Sequence, residues 1–370
     1  MRSERVVVTG VSRFLGASVA SRLARDPAVG TVIGVDASAP PPEFEDQLPG
    51  VELVEADLTR CASVIANLDA DVVIHLGIVT APEAGSGGRA AMKDQNIIGT
   101  MQLLAACQRA PRLRKLIVRS STAAYGVSFR DPAVFTEDTE VREVPRGGFA
   151  RDILDIEGYV RGFRRRCPQV VVTVLRLAPL IGRAAATTLT RYFAQPIVPT
   201  VLGRDPRLQF VHVDDALEVL HRSVVEDHSG TFNVAGPGVL TLSQAIRRAG
   251  RLSVPVAELG LSAVASLARR FDRGGFGLDQ VDLFVHGRVV DTTRLAKEFG
   301  FTPRTTAEAF ADFLSGSGAG GAVIQPERVA AAERAILAAM ERVRAAKEPH
   351  PVRPPQAATG AGSGTAGDPR

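Results

Sequence analysis

The sequence has no tryptophan, three cysteines and, set against its many arginines, only four lysines: Lys93, Lys115, Lys297 and Lys347. Cys61, Cys107 and Cys167 are far apart, odd in number and form no C-x-x-C, which argues against a structural zinc site and fits a reducing compartment. The histidines form no H-x-x-x-H pair. No apolar run approaches the roughly 20 residues of a membrane span. The first β-rich run starts about five residues in, which leaves no room for a signal peptide. The expectation is a cytoplasmic protein with no membrane span. A net charge of +4 with no basic block gives no footprint for nucleic acid.

What is present is an alternation. Near-continuous apolar runs at Arg5–Thr9, Thr31–Asp36, Val51–Ala56, Asp71–Leu76, Leu113–Arg119 and Val170–Arg176 read as strands buried on both faces. Helical stretches separate them, at Ala17–Arg25, Ser63–Leu68, Arg89–Arg109 and Phe149–Arg166. The pattern predicts an α/β fold: a Rossmann-type, doubly wound parallel sheet. After Arg176 come shorter strands (Gln209–Val213, Thr231–Val234) and helices (Asp215–Val225, Leu242–Leu252), which suggest a smaller C-terminal α/β substrate lobe. The expected division is a dinucleotide-binding domain over 1–178, an interleaved substrate lobe over 179–314, a Gly/Ser linker over 315–325, a tail helix over 326–348 and a disordered end over 349–370. The tail helix carries an uneven apolar stripe (Val329, Ile336, Leu337, Met340, Val343), which suits docking on its own domain, or else a protein partner or membrane surface.

Directly after the first strand stands TGVSRFLG, Thr9 to Gly16. In a dinucleotide-binding turn the first glycine permits the bend, the second admits the diphosphate and the third lets helix and strand pack closely. Gly10 and Gly16 fill the first and third roles, whereas Arg13 stands at the second, with the amides of Phe14 and Leu15 still free to donate. Asp36 ends the second strand where it can accept both ribose hydroxyls of NAD and would repel the 2′-phosphate of NADP. Asp57-Leu58 and His75-Leu76-Gly77 close the third and fourth strands. Each has a plain alternative: Asp36 as a strand-end cap, Asp57 as a helix N-cap, His75 as a satisfied core histidine. Together at successive strand ends they predict an NAD site of Gly10, Arg13, Phe14, Leu15, Gly16, Asp36, Asp57, Leu58, Leu76 and Gly77.

The order of TGVSRFLG, Asp57-Leu-Thr59, VVIHLG (Val72–Gly77), Asn96-Ile-Ile-Gly-Thr100, Ser120-Ser-Thr-Ala-Ala-Tyr-Gly126, VLRLAPLIGR (Val174–Arg183), FVHVDDA (Phe210–Ala216), TFNVAG (Thr231–Gly236) and Asp291-Thr-Thr-Arg294 resembles the extended short-chain dehydrogenase/reductase family, the NAD-dependent epimerase/dehydratase group. The resemblance spans residues 5 to about 314. It implies Asp57 and Leu58 against the adenine, Asn96 tying helix to sheet, and Ser121 as the serine that meets a substrate hydroxyl. It also implies a nucleotide sugar in the C-terminal lobe, and a homodimer through the helices at Arg89–Arg109 and Phe149–Arg166.

The family's chemistry needs a tyrosine with a lysine four residues on, one helical turn away on the same face. None of Tyr125, Tyr159 and Tyr192 has a lysine at that spacing. The two positions fall on Phe149 and Ile153, the family's nucleotide-sugar asparagine falls on Pro179, and an expected arginine falls on Leu208, with Arg207 beside it. In the single-domain branch of the superfamily an arginine at the place of Arg13 meets the NADP 2′-phosphate, which Asp36 opposes here. The sequence therefore points to an NAD-binding scaffold or sensor; the alternative is an enzyme with a relocated acid/base drawn from Arg151, Asp152, Asp155 or Tyr125 with Ser121. Asp152 and Asp155 are expected to be solvated helix charges.

Overall fold

The computed structural model describes residues 4–316 apart from 62, 83–86, 127, 129, 146–147 and 257–277. The tail helix and C-terminal end expected over 326–370, and the linker beyond Gly316, lie outside the described residues.

The main-chain order begins with β1 (Arg5–Thr9), α1 (Phe14–Ala24), β2 (Thr31–Asp36), the short α2 (Pro42–Glu45), β3 (Val51–Glu55), α3 (Leu58–Cys61), α4 (Ser63–Asn67) and β4 (Val72–His75). It continues through α5 (Gly88–Asp94), a π-helical turn at Gln95–Gly99, α6 (Thr100–Arg109), β5 (Lys115–Ser121), α7 (Gly148–Arg166) and β6 (Val171–Leu177). Then follow β7 (Leu180–Ile181), α8 (Thr188–Ala194), β8 (Ile197–Val201), β9 (Arg207–Leu208), β10 (Val211–His212), α9 (Val213–Val225) and β11 (Gly230–Val234). Seven strands form one parallel sheet in the order β3-β2-β1-β4-β5-β6-β11. Strand order reverses between β1 and β4, so the crevice at their carboxyl ends is where such a sheet accepts ligands.

The strands are continuously apolar because both faces are covered. Val6, Val8, Ile74, Ile117 and Leu175 face a core with α1 and α9; Val7, Val73, Val118 and Val174 face a second core with α4, α6 and α7. A third cluster, built on Tyr192, Phe193, Phe210 and Phe310, forms the smaller part of the molecule. Helix α9 and strand β11 belong to the large sheet, so the chain enters the smaller part at β7 and returns before β11.

Three differences from the predicted elements have local causes. Helix α1 starts at Phe14, three residues earlier than predicted, because Arg13 is already its extended N-cap. The predicted strand Gln209–Val213 shrinks to Val211–His212: the Phe210 N–H goes to Thr306 Oγ1, and His212 turns to cap α9 by accepting from the Asp214 N–H. The helix predicted over Leu242–Leu252 stops at Arg248, before Gly250 at φ +63°, and Leu252–Val256 pairs with β8 instead.

One buried polar network ties the sheet's far side together. Glu157 of α7 accepts from Arg176 Nε (2.9 Å) and Nη2 (2.7 Å) and from Ser120 Oγ (2.6 Å). The Arg176 guanidinium lies 4.7 Å from the Tyr125 ring centroid, and Tyr125 donates its hydroxyl proton to Asn233 Oδ1 of β11. A two-point arginine–carboxylate contact fixes geometry as well as charge. Glu157→Ala leaves the Arg176 charge buried and should cost about 3–5 kcal/mol, with Glu157→Ala/Arg176→Leu recovering part of it. Urea unfolding of the two variants checks this; a double variant no more stable than the single one would show that the ion pair is not the source of the loss.

Candidate functional site

The β1–α1 turn is defined by backbone touching backbone. A Cβ on Gly16 would stand 2.0 Å from the Gly10 carbonyl oxygen, and one on Gly10 would stand 2.7 Å from Gly77 Cα. Gly10 also has φ +84°, a conformation open chiefly to glycine. Arg13 is different: at φ −117°, ψ 153° its backbone is ordinary extended chain, so no glycine is needed there for conformational reasons.

Asp36 reaches back to this turn. Its Oδ2 accepts from the Ser12 N–H (2.9 Å) and Ser12 Oγ (2.6 Å), and its Oδ1 accepts from the Ala37 N–H (2.8 Å). A carboxylate has roughly four acceptor positions, so capacity for a further hydroxyl remains. Asp57 accepts from the N–H and Oγ1 of Thr59, the N-cap role open to it from sequence, and it also lines the crevice. That crevice brings together Gly10, Asp36, Asp57, Leu58 and Gly77 with Val35, Ala37, Ala56, Thr59 and Gln95. Leu15 and Leu76 are core residues, Gly16 is packed under Gly10, and Phe14 rests 6.5 Å from the Phe44 ring.

Under the crevice runs a chain of hydrogen bonds whose direction can be assigned. Thr100 Oγ1 donates to the Asn96 carbonyl (2.6 Å), so it accepts from His75 Nε2 (3.0 Å). His75 Nδ1 then accepts from Thr9 Oγ1 (2.8 Å), which itself accepts from the Leu76 and Gly77 amides (3.2 Å each). Burial pushes the imidazole pKa down to about 4, so His75 is neutral near pH 7. His75 is a satisfied core histidine that also borders the crevice.

Asn96 sits in the π-helical turn, fully buried, accepting from the Val79 N–H (2.8 Å) and donating to the Val79 carbonyl (3.0 Å). Its Nδ2 also donates to Asp152 Oδ2 (3.0 Å), whose other oxygen takes Arg89 Nη2 (2.5 Å). This corrects the expectation of a solvated Asp152, which is 1% exposed; Asp155 is exposed as expected. The reason is that α5, through Arg89, and the π turn, through Asn96, cover the α7 face that carries Asp152.

A second cleft opens at the head of β5. Ser121, Phe149, Pro179, Arg119, Thr80 and Arg288 are among its lining residues, and among the described residues no carboxylate, tyrosine, lysine or histidine is. Ser121 Oγ accepts from the Ala123 N–H (3.1 Å), and Ser120 Oγ is committed to Glu157. Ile153 is 1% exposed in the apolar core beside α6. Tyr125 is buried away from the cleft, its hydroxyl given to Asn233 and its pKa raised by burial. Leu208 is wholly buried, and Arg207 donates to the Ala133 carbonyl in a neighbouring groove. Sequence reasoning missed Ser12, Gln95, Thr80 and Arg119; only Ser12, inside the turn motif, had a signal that could have found it.

Among the described residues, no helix is long and apolar enough to cross a membrane, and no group of three metal-ligating side chains occurs. A family model described as NAD dependent epimerase/dehydratase family matches residues 6–235. An uncharacterized protein of Mycobacterium tuberculosis is 47% identical over 328 residues, 88% of this chain and 86% of that one. The fold is similar to that of UDP-glucose 4-epimerase from Thermotoga maritima, solved with UDP-glucose (TM-score 0.66, 18% identity, 84% of this chain and 98% of that one). It is also similar to dTDP-glucose 4,6-dehydratase from Bacillus anthracis, solved with NAD (TM-score 0.65, 15% identity, 85% and 97%).

The neutral His75 makes a pH prediction. Unfolded, it takes a proton near its ordinary 6.5; folded, it resists until about 4. The unfolded state therefore binds more protons across that window, and its share of stability, roughly 3 kcal/mol, is lost as pH falls from 6.5 to 4. Denaturant unfolding across this range should show a shallower slope for His75→Gln than for the native chain; parallel slopes would refute the assignment.

Proposed function

This chain belongs to the NAD-dependent epimerase/dehydratase family, and we propose that within it the protein is an NAD-binding scaffold or sensor that lacks the family's tyrosine–lysine proton chemistry. The observation that carries this reading is the contrast between its two clefts. The crevice at β1 and β4 keeps the close glycine contacts and the Asp36 carboxylate, whereas the cleft at Ser121 offers, among the described residues, only hydroxyls and guanidiniums.

The residues fit a dinucleotide. The Gly10–Gly16 turn and the α1 N-terminus suit the diphosphate, Asp36 suits a ribose hydroxyl, and Asp57 with Leu58 suits the adenine. Asp36 favours NAD over NADP, since a carboxylate beside a 2′-phosphate is unfavourable. Bound NAD would supply a hydride acceptor at its nicotinamide. Among the described residues of that cleft, none is placed to take the accompanying proton: Phe149 has a ring and no hydroxyl, Ile153 has no charge, and the Ser121 hydroxyl is too weak a base to act alone. A positioned acid/base contributes about 10²- to 10⁴-fold in rate. Asp152 and Tyr125 are spent in buried hydrogen bonds, and Arg151 and Asp155 are exposed and not among the cleft's described lining residues, which leaves a relocated acid/base without support.

Exposed apolar side chains favour a homodimer. Met101 is 46% and Ile98 40% exposed on the π turn and α6, and Tyr159 is 36% exposed on the adjoining α7.

Isothermal titration of nucleotide-free protein should give micromolar or tighter binding of NAD and weaker binding of NADP. NAD-loaded protein mixed with a panel of UDP- and dTDP-sugars should show no sustained turnover; turnover would overturn the scaffold reading. Phe149→Tyr/Ile153→Lys, with NAD binding retained, should gain single-turnover hydride transfer. In sedimentation velocity, Met101→Asp/Tyr159→Asp should run as a monomer and the native chain as a dimer.

A further inference from the structure

Arg119 is left unexplained by the cleft it lines. It leaves β5 two residues before Ser121, and its Nη1 donates to the Ile78 carbonyl (2.9 Å), just beyond β4. Among the described residues, its Nε is buried without an acceptor and no carboxylate meets the guanidinium. Arg176, one strand over, shows what a paired arginine in this sheet looks like. Burial opposes its charge too, but Glu157 at Nε and Nη2 more than offsets this and holds its pKa above the ordinary value. For Arg119, burial lowers the pKa to about 10, with the Arg13 charge adding to the fall. The two arginines differ in the counter-ion.

The surroundings say which counter-ion would serve. Strand β4 lies between β5 and β1, and the Ile78 carbonyl that Arg119 reaches belongs to the residue next to Gly77, which lines the crevice. On the other side stands Arg13, the N-cap of the 11-residue α1, with no side-chain acceptor capping the helix. A helix N-terminus adds positive potential of its own. The Arg13 charge is close enough to lower the Arg119 pKa, so two guanidiniums and a helix N-terminus lie near one another at the β1–β4 side of the sheet.

We propose that Arg119 and Arg13 hold the diphosphate of the dinucleotide from opposite sides, Arg119 over β4 and Arg13 from the β1–α1 turn. This rests on the NAD-binding reading above and extends it. Charge contacts take over where Arg13 displaces the middle glycine and its close backbone approach. Affinity then resides in the diphosphate half of the ligand, and ADP-ribose should bind nearly as well as NAD.

Calorimetric titration of the nucleotide-free full chain with NAD and with ADP-ribose tests this, using Arg119→Met, Arg119→Lys and Arg13→Gly. Arg119→Met should weaken both ligands alike, roughly 10- to 100-fold, as for loss of a charged hydrogen bond, with Arg119→Lys restoring part. The ligand-free melting temperature of Arg119→Met should be unchanged or raised, because a like-charge contact has gone. Unchanged NAD affinity in Arg119→Met would overturn the proposal. So would a loss for NAD without a loss for ADP-ribose, which would assign Arg119 to the nicotinamide half, and so would a lowered ligand-free melting temperature with no rescue by lysine. A native chain that binds neither ligand would instead defeat the NAD-binding reading itself.

Discussion

The contact between Gly10 and its two neighbours sets the arrangement of the crevice at the carboxyl ends of β1 and β4. With the Gly10 oxygen against Gly16 and the Gly10 Cα against Gly77, there is no room for a single methyl group on either side. Helix α1 is thereby pressed onto β1 and β4, its N-terminus opening over the switch point of the sheet. The turn tolerates Arg13 because that residue is outside the contact. It has ordinary extended torsions and caps the helix by its backbone carbonyl, which accepts from the Ala17 N–H.

The polar residues around the second cleft follow the opposite logic. Glu157 is consumed by Arg176 and Ser120, Asp152 by Asn96 and Arg89, and Tyr125 by Asn233. Each is a group that could move a proton if it were open to a ligand, and each has been turned inward to satisfy a buried partner. Buried polar groups of this kind rigidify when every member is satisfied. The result is a frame around the cleft whose carboxylates and tyrosine, among the described residues, are held in buried hydrogen bonds.

The sheet was legible in the sequence because double burial writes itself as uninterrupted apolar runs; β1 and β2 match residue for residue. Asp36 was legible through its distance from the turn. Asp152 was not, because helical periodicity tells which face a residue shares but not how many neighbouring elements cover the helix. The π turn at Gln95–Gly99 left no mark for the same reason: one extra residue in a helix alters which side chain points inward without changing composition. Arg119 was invisible because an arginine inside an apolar strand looks like an interruption until its neighbours in three dimensions are known.

The position of β11 bears on how this protein can be made. It is the seventh strand of the sheet, yet it is supplied after the chain has visited the smaller part, and Asn233 on it completes the bonding of Tyr125. Until it arrives, β6 is an edge strand with a row of bare amides and carbonyls, a template for pairing with other chains. During synthesis the growing chain must therefore carry an open sheet edge for more than fifty residues after β6 is complete (Leu177 to Gly230). Aggregation pressure on the nascent polypeptide is concentrated in that interval, and a contiguous amino-terminal fragment ending after β6 would keep that edge open.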